Sequence, residues 1–371
     1  MKKSYDIIVV GAGLSSLMFL SKYVKKFPDN KVLLVEKETR KKSQTFGVWQ
    51  GPNIINIEKE YKITPKKTWR NLGLSYKKQS INKVMEPYSY VVFDGDKTLR
   101  ALLKACKKNI TYIEDFEVEK KVKHEEYFLI TKKNIVYSSK ILIDSRNDMN
   151  SFNSSGLLYQ AFVGSEIKIT TNKFDSSTVT LMDFKENKNA IQFTYILPLT
   201  KKRALIETTF FTKKPNLYQI KKIHKKYLKR FEKPILIKQE EGILPMGVAK
   251  PKNYKNILKI GMSAGMIRPS SGYSMMRVAG WISKVGDLEL NEQTISRFIY
   301  KPSRVLNWMD KLFLKVCFNR PDMGPTLFMS LFSKAETGAV IRFMAESNTY
   351  LDLLKVVMSL PKKIMIMSLF K

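Results

Sequence analysis

Residues Tyr5 to Val10 form a largely apolar run of β-formers, Gly11-Ala12-Gly13 breaks it, and Leu14 to Val24 then shows apolar positions at helical spacing. A second apolar run, Lys31 to Val35, stops at Glu36. This order predicts strand, tight turn, helix, turn and strand. From about residue 155 to 245, segments rich in Val, Ile, Tyr and Phe alternate with short polar turns, as in Gln192 to Ile196 and Ala204 to Phe211. They predict an antiparallel sheet. From about Asn291 onward the spacing becomes helical and rich in Leu, Met and Phe, punctuated by Pro302, Pro321, Pro325 and Pro361. A small C-terminal helical subdomain is expected there.

The first unit carries chemistry. Gly11 suits the tight turn, Gly13 lets the backbone come close to a pyrophosphate, and the helix that follows offers unpaired N–H groups to that anion. Glu36, 23 residues beyond Gly13, stands where an acidic side chain accepts bonds from a ribose diol. Ser16 replaces the third glycine of the fingerprint and is still small. A dinucleotide site is the expectation.

Composition narrows the setting. At 371 residues with 44% apolar side chains, the chain is long enough for two or three units of roughly 150 residues and ordinary cores. Cys106 and Cys317 are too few for a disulfide framework, so a reducing, cytoplasmic location is expected. No run reaches the about 18 consecutive apolar residues that span a bilayer, which leaves peripheral contact. The net charge of +33 admits nucleic acid or an anionic lipid surface. Lysine heavily outnumbers arginine and is spread along the chain beside abundant Ile and Asn, as an AT-rich genome would also produce. With no zinc spacing, RNA-binding aromatic signature or basic recognition helix, nucleic acid is the weaker partner. His124 and His224 lie in lysine-rich segments without a partner pattern, and no metal site is expected.

Further stretches carry a resemblance. Ile141 to Arg146 is similar to the strand-end motif by which flavin enzymes of the aromatic-hydroxylase fold return to their cofactor, here through Asp144 and Arg146. Gly261-Met262-Ser263-Ala264-Gly265 runs on to Arg268-Pro269 and Gly272-Tyr273, and Met262 stands where related hydroxylases usually carry Asp. Gln160 to Gly164, Thr180 to Phe184, Tyr195 to Leu199, Arg203 to Thr209, Gly242 to Met246, Trp308 to Asp310 and Pro321 to Pro325 follow in order. Together they resemble the lycopene cyclase family over nearly the whole chain. The family's early aromatic motif is only partly kept, as Thr45-Phe46-Gly47-Val48-Trp49.

The resemblance implies an α/β (α+β) fold. An FAD-binding Rossmann-like domain would comprise 1–62, 96–150 and 255–290, with an inserted antiparallel-sheet substrate domain of 63–95 and 151–254 and helices over 291–371. It implies an intramolecular lyase or isomerase that closes the ends of lycopene, or another linear carotenoid, into β-ionone rings. FAD would act in its reduced form, with NAD(P)H as electron donor. Gly11, Gly13, Ser16, Glu36, Arg100, Asp144, Arg146, Gly261, Ala264, Gly265, Gly272 and Tyr273 are the expected cofactor residues. Glu207 is the expected acid and base, on a strand face shared with Leu205 and Thr209. Asp183 and Glu241 stand next in line. Tyr273, Tyr195, Phe193 and Trp49 are candidates for contacts to a cation, and each is also an ordinary core residue. An NAD(P)H-consuming monooxygenase or polyprenyl reductase of the same fold is the competing expectation, and a non-enzymatic basic protein a third. Leu351 to Phe370, apolar but interspersed with Lys355, Lys362 and Lys363, suits either an anchor on the inner face of the membrane or a core helix.

Overall fold

The computed structural model describes residues 2–38, 44–123, 126–130, 136–152, 156–251 and 254–367. His124 and the end of the apolar C-terminal segment, Ser368 to Phe370, lie outside them. The strand Lys2–Val10 sits inside a seven-stranded sheet, parallel to Val32–Val35 on one side and Val136–Asp144 on the other. Thr111–Ile113 extends the first edge, while Ile257–Lys259 pairs in parallel with the end of Val136–Asp144. The central stretches Ile7–Val10, Val32–Val35 and 141–144 are buried on both faces, which is why they read as continuous apolar runs rather than alternating ones. The helix Leu14–Lys26 follows the glycine turn and packs against the helices Gly95–Cys106 and Met275–Val285.

A second seven-stranded sheet runs in the order Ile235–Met246, Leu158–Lys168, Arg203–Thr212, Ile191–Thr200, Thr178–Lys185, Asn71–Tyr76 and Gln79–Val84. All its pairings are antiparallel except that of Thr178–Lys185 with Asn71–Tyr76. That junction departs from the expected antiparallel pattern, because the strand Asn71–Tyr76 joins from a distant part of the chain and no hairpin fixes its direction. One face of the sheet is covered by the helix Leu217–Leu228. A small third sheet, Thr45–Gln50, Ser89–Asp94 and Lys67–Trp69, touches the helix Met275–Val285 and bonds to the second seven-stranded sheet through Thr45 and Trp69.

The C-terminal part is helical: Arg304–Asn319, Gly324–Lys334, Thr337–Met344, Tyr350–Ser359 and Lys362–Met367 follow the short Ile295–Phe298. Its prolines mark helix starts. Pro321 and Pro325 occupy first turns, and Pro302 and Pro361 stand just before helices, where a missing N–H costs nothing. No helix among the described residues is long and apolar enough to cross a membrane.

Candidate active site

Gly11 has φ +95°, and a β-carbon there would lie 2.5 Å from Ser145 Oγ, so both conformation and space require glycine. Ser145 donates to the carbonyls of Val10 and Gly11, and thereby ties the end of Val136–Asp144 to the turn. Gly13 differs. Its φ of −79° is ordinary and a β-carbon there would meet nothing within 4 Å. The fold leaves an open approach at the first turn of the helix. Glu36 is buried beside this turn, accepting from the Ala12 N–H at 2.6 Å and the Glu38 N–H at 3.1 Å. Ser16 is fully buried and its hydroxyl has no partner within the protein.

Gly261 packs beside Ser15 of the same helix turn, and with φ +75° it begins a loop that continues through Ala264 and Gly265 to Gly272 and Tyr273. At its far end a β-carbon on Gly272 would sit 2.8 Å from Gln160 Oε1, on the large sheet. One loop therefore connects the nucleotide turn to the sheet. Ser263 Oγ, Ser271 Oγ and Gln160 Oε1 are buried along it without protein partners. Asp144 and Arg146 pair with each other at 2.9 and 3.0 Å, with Lys259 also 3.3 Å from Asp144. Burial alone would raise Asp144, but the Arg146 guanidinium outweighs it and holds the carboxyl below its usual range. Arg100 is not brought to this cluster: it is exposed on the helix Gly95–Cys106 and pairs with Asp96 one turn earlier.

On the sheet, Glu207 is half-buried between Tyr195 and Gly164, its register partners on the two neighbouring strands. Thr209, two residues on along the same face, donates to Glu207 Oε1 at 2.7 Å. Gly164 is in turn paired with Glu240 on the sheet-edge strand, so Glu207, Gly164 and Glu240 form one row. Glu240 is 5% exposed and accepts from Thr45 Oγ1 at 2.9 Å. Burial pushes the Glu207 carboxyl well up from its usual range, and the Glu240 carboxylate pushes it further. Glu240 is also raised by burial, against the opposing pull of Thr45, Lys238 and Lys66.

Aromatic rings surround Glu207. Tyr273 donates to Tyr90 at 3.4 Å, Trp49 meets Tyr90 edge-on at 4.9 Å, and Tyr195 stands on the adjoining strand. Burial raises all three phenols, so they remain neutral. Phe193, by contrast, is fully buried on Phe184, Tyr195 and Phe211 and is a core residue. His224 is buried as well. It bridges Thr208 at 3.0 Å and Ser165 at 2.9 Å on the opposite face of the sheet, and burial lowers it to about 4. Its pairing was hidden by the lysines around it in sequence. Asp183 bonds Ser75 and Lys185, and Glu241 is exposed against Lys221, so neither next-in-line acid belongs to the row.

A cavity of about 350 Å³ opens in the helical part, lined by Met309, Phe313, Phe328, Leu331, Phe343 and Met365 among others. Phe328 contacts Phe211, Phe211 contacts Phe193, and Phe193 contacts Tyr195, so a chain of packed core rings runs from the cavity wall to the strand beside Glu207. Ser270, three residues before Tyr273, also lines it.

The family model described as "Lycopene cyclase protein" matches residues 6–369. The chain belongs to the lycopene cyclase family. Its relatives include neoxanthin synthase of Solanum tuberosum, 22% identical over 74% of this chain, and lycopene beta-cyclase of Pantoea ananas, 21% identical over 74%. Lycopene beta cyclase of Narcissus pseudonarcissus is 24% identical over 57% of this chain. The match spans 58% of the Solanum protein's length, 72% of the Pantoea protein's and 46% of the Narcissus protein's. In solved structures the fold is that of flavoproteins. A geranylgeranyl bacteriochlorophyll reductase-like protein from Thermoplasma acidophilum has a TM-score of 0.64 at 13% identity, each chain 98% covered. The flavin-dependent brominase Bmp2 has 0.62 at 10%, covering 92% of this chain and 94% of its own. A variant of the halogenase PltM in complex with FAD has 0.60 at 10%, covering 92% and 79%.

Sequence reading missed Glu240, Tyr90 and Ser145. The Tyr90 hydroxyl fills the space over Gly47 of the aromatic motif, a contact between neighbouring strands that no local sequence pattern marks.

Proposed function

We propose that this chain is a lycopene β-cyclase, converting lycopene through γ-carotene to β-carotene without net oxidation. The observation that carries this reading is the position of Glu207, a carboxyl that burial raises from its usual range and that stands beside Tyr195 and near the Tyr90–Tyr273 pair. Glu207 donates a proton to the terminal double bond, the neighbouring alkene attacks the tertiary cation, and a ring proton is lost to a carboxylate. The faces of Tyr195, Tyr273 and Trp49 stabilise the positive charge, and their bulk excludes water that would trap it.

The residues present fit a dinucleotide flavin. Gly13 is open to a pyrophosphate although the fold does not itself need glycine there, and Ser16 and Ser263 hold buried hydroxyls without protein partners. Gly11, Gly13, Ser16 and Glu36 would hold the nucleotide end, and Gly261, Ala264, Gly265, Gly272 and Tyr273 the ring end. Bound FAD, reduced by NAD(P)H, would supply negative charge opposite the cation. The substrate resides in a bilayer, and we assign the protein to the inner membrane face in the cytoplasm.

Expressing the gene in cells that accumulate lycopene tests the reading: β-ringed carotenoids should appear. Purified protein should turn over many carotenoids per NAD(P)H oxidised. A hydroxylated or hydrogenated product, with one NAD(P)H consumed per turnover, would assign the site to a monooxygenase or reductase instead.

A further inference from the structure

Three strands of the large sheet bring two carboxyls of distant sequence position together. Glu207 lies on Arg203–Thr212 and Glu240 on Ile235–Met246, and the strand Leu158–Lys168 runs between them. The intervening residue at that level is Gly164. A β-carbon there would lie 3.0 Å from Glu240 Cγ and 3.5 Å from Glu207 Cγ, so both side chains lean over the space that a larger residue would fill. Gly164 is not needed for its backbone conformation, since it is absent from the positive-φ glycines. Its small size leaves room for both side chains over the same position.

The charged groups facing the pair are unevenly distributed. Around Glu207 stand Thr209 and the phenols of Tyr90, Tyr195 and Tyr273, and among the described residues no cation bonds it. On the Glu240 side stand Thr45, Lys66 and Lys238, together with Glu166 and Asp94. Both of those lysines are engaged further: Lys66 binds Glu166, and Lys238 binds Asp94 at 3.1 Å. Arg203 also pairs with Glu166.

We propose that Glu207 and Glu240 form a carboxyl pair across Gly164 that holds one proton between them, with Glu207 the donor and Glu240 the positioning residue that keeps the donor charged with its proton. This inference rests on the cyclase reading and adds a second acid to it. Two carboxylates this close cannot both ionise readily, so the first proton stays bound to higher pH than a lone carboxyl would hold it. The Thr45 hydroxyl and the two lysines favour the anion on Glu240, which leaves the proton on Glu207, facing the rings. Transfer of that proton to the substrate alkene leaves the pair doubly negative beside the new cation. The ring proton released on closure restores the original state, so atoms and charge balance and no reductant is consumed.

The test titrates the purified protein by infrared spectroscopy, following the C=O stretch of a protonated carboxyl, and needs no carotenoid. In the unmutated protein this band should persist at neutral pH and vanish only in the alkaline range. Glu240→Gln removes the repelling charge, so the band of the remaining carboxyl should vanish about one pH unit or more lower. Gly164→Ala keeps both carboxyls but, by placing a methyl group 3.0 Å from Glu240 Cγ and 3.5 Å from Glu207 Cγ, pushes them apart and should shift the midpoint in the same direction; it also serves if Glu240→Gln does not fold. The alkaline limb of the pH–rate profile should move with the infrared midpoint in each variant. A midpoint unchanged in the variants that fold would overturn the pair, whatever the carotenoid assay gives. A lowered midpoint in a protein that forms no ring keeps the pair and overturns the cyclase reading instead.

Discussion

A side chain that protonates a hydrocarbon must still carry its proton at neutral pH, and at Glu207 burial and Glu240 both favour the neutral form. Glu207→Gln keeps the shape but has no acidic proton, so fold and flavin should survive while cyclisation falls about 10²–10⁴-fold. The same carboxyl sets a pH dependence. Because its folded-state affinity for a proton exceeds that of the unfolded chain, the folded protein binds more protons, and stability falls as pH rises from the ordinary carboxyl range through the raised value. Thermal denaturation across that range should show Glu207→Gln with a flatter profile and, at alkaline pH, a higher Tm than the unmutated protein. An identical slope in both would mean that Glu207 is not the proton-retaining group. At Gly13 the reasoning concerns space alone: its ordinary φ and empty surroundings mean that Gly13→Val should fold normally and lose FAD on purification. Stoichiometric flavin in that variant would move the pyrophosphate elsewhere.

At the scale of elements, the loop from Gly261 to Tyr273 is fastened from behind by a buried ion network. Arg268 and Asp310, each 1% exposed, meet at 3.2 Å, Ser270 donates to Asp310 at 2.7 Å, and Arg277 binds the carbonyls of Gly265 and Ile267. Asp310→Ala strands a buried guanidinium, which typically costs about 3–5 kcal/mol, and chemical denaturation should register that loss together with weaker flavin retention. Only part of this was legible in sequence. The βαβ unit, the alternation that puts Glu207 and Thr209 on one face, and the proline-marked helices are local periodicities, and each appears within a few residues of its expected place. The partners across strands are set by register. Glu240 and Glu241 are indistinguishable in sequence, yet the pairing of Gly164 with Glu240 turns one toward Glu207 and the other toward Lys221. Arg100 differs, since its exposed pairing with Asp96 one helical turn earlier is a local contact rather than one set by register.

At the scale of the whole molecule, the helical part exposes several large apolar side chains. On Tyr350–Ser359, Leu351, Leu354 and Met358 share one exposed face at spacings of three and four, while Asp352, Val356 and Ser359 turn inward. Trp308, Val357 and Ile366 are exposed too, and all three line the mouth of the apolar cavity. Leu353 and Val356 pack inward, as in a core helix, and their neighbours Leu354 and Val357 face out. Exposed Lys311, Lys315, Lys362 and Lys363 lie on the helices around this mouth, where they would attract an anionic surface. Two contributions to binding can be separated. Sedimentation with anionic vesicles should weaken as salt rises, because screening removes the lysine attraction and leaves apolar insertion. The double variant Leu354→Glu with Met358→Glu should lose binding even at low salt, retain its flavin and Tm, and form product from detergent-dispersed carotenoid but not from carotenoid in vesicles. Unaltered vesicle binding by that variant would place the membrane contact on another face of the molecule.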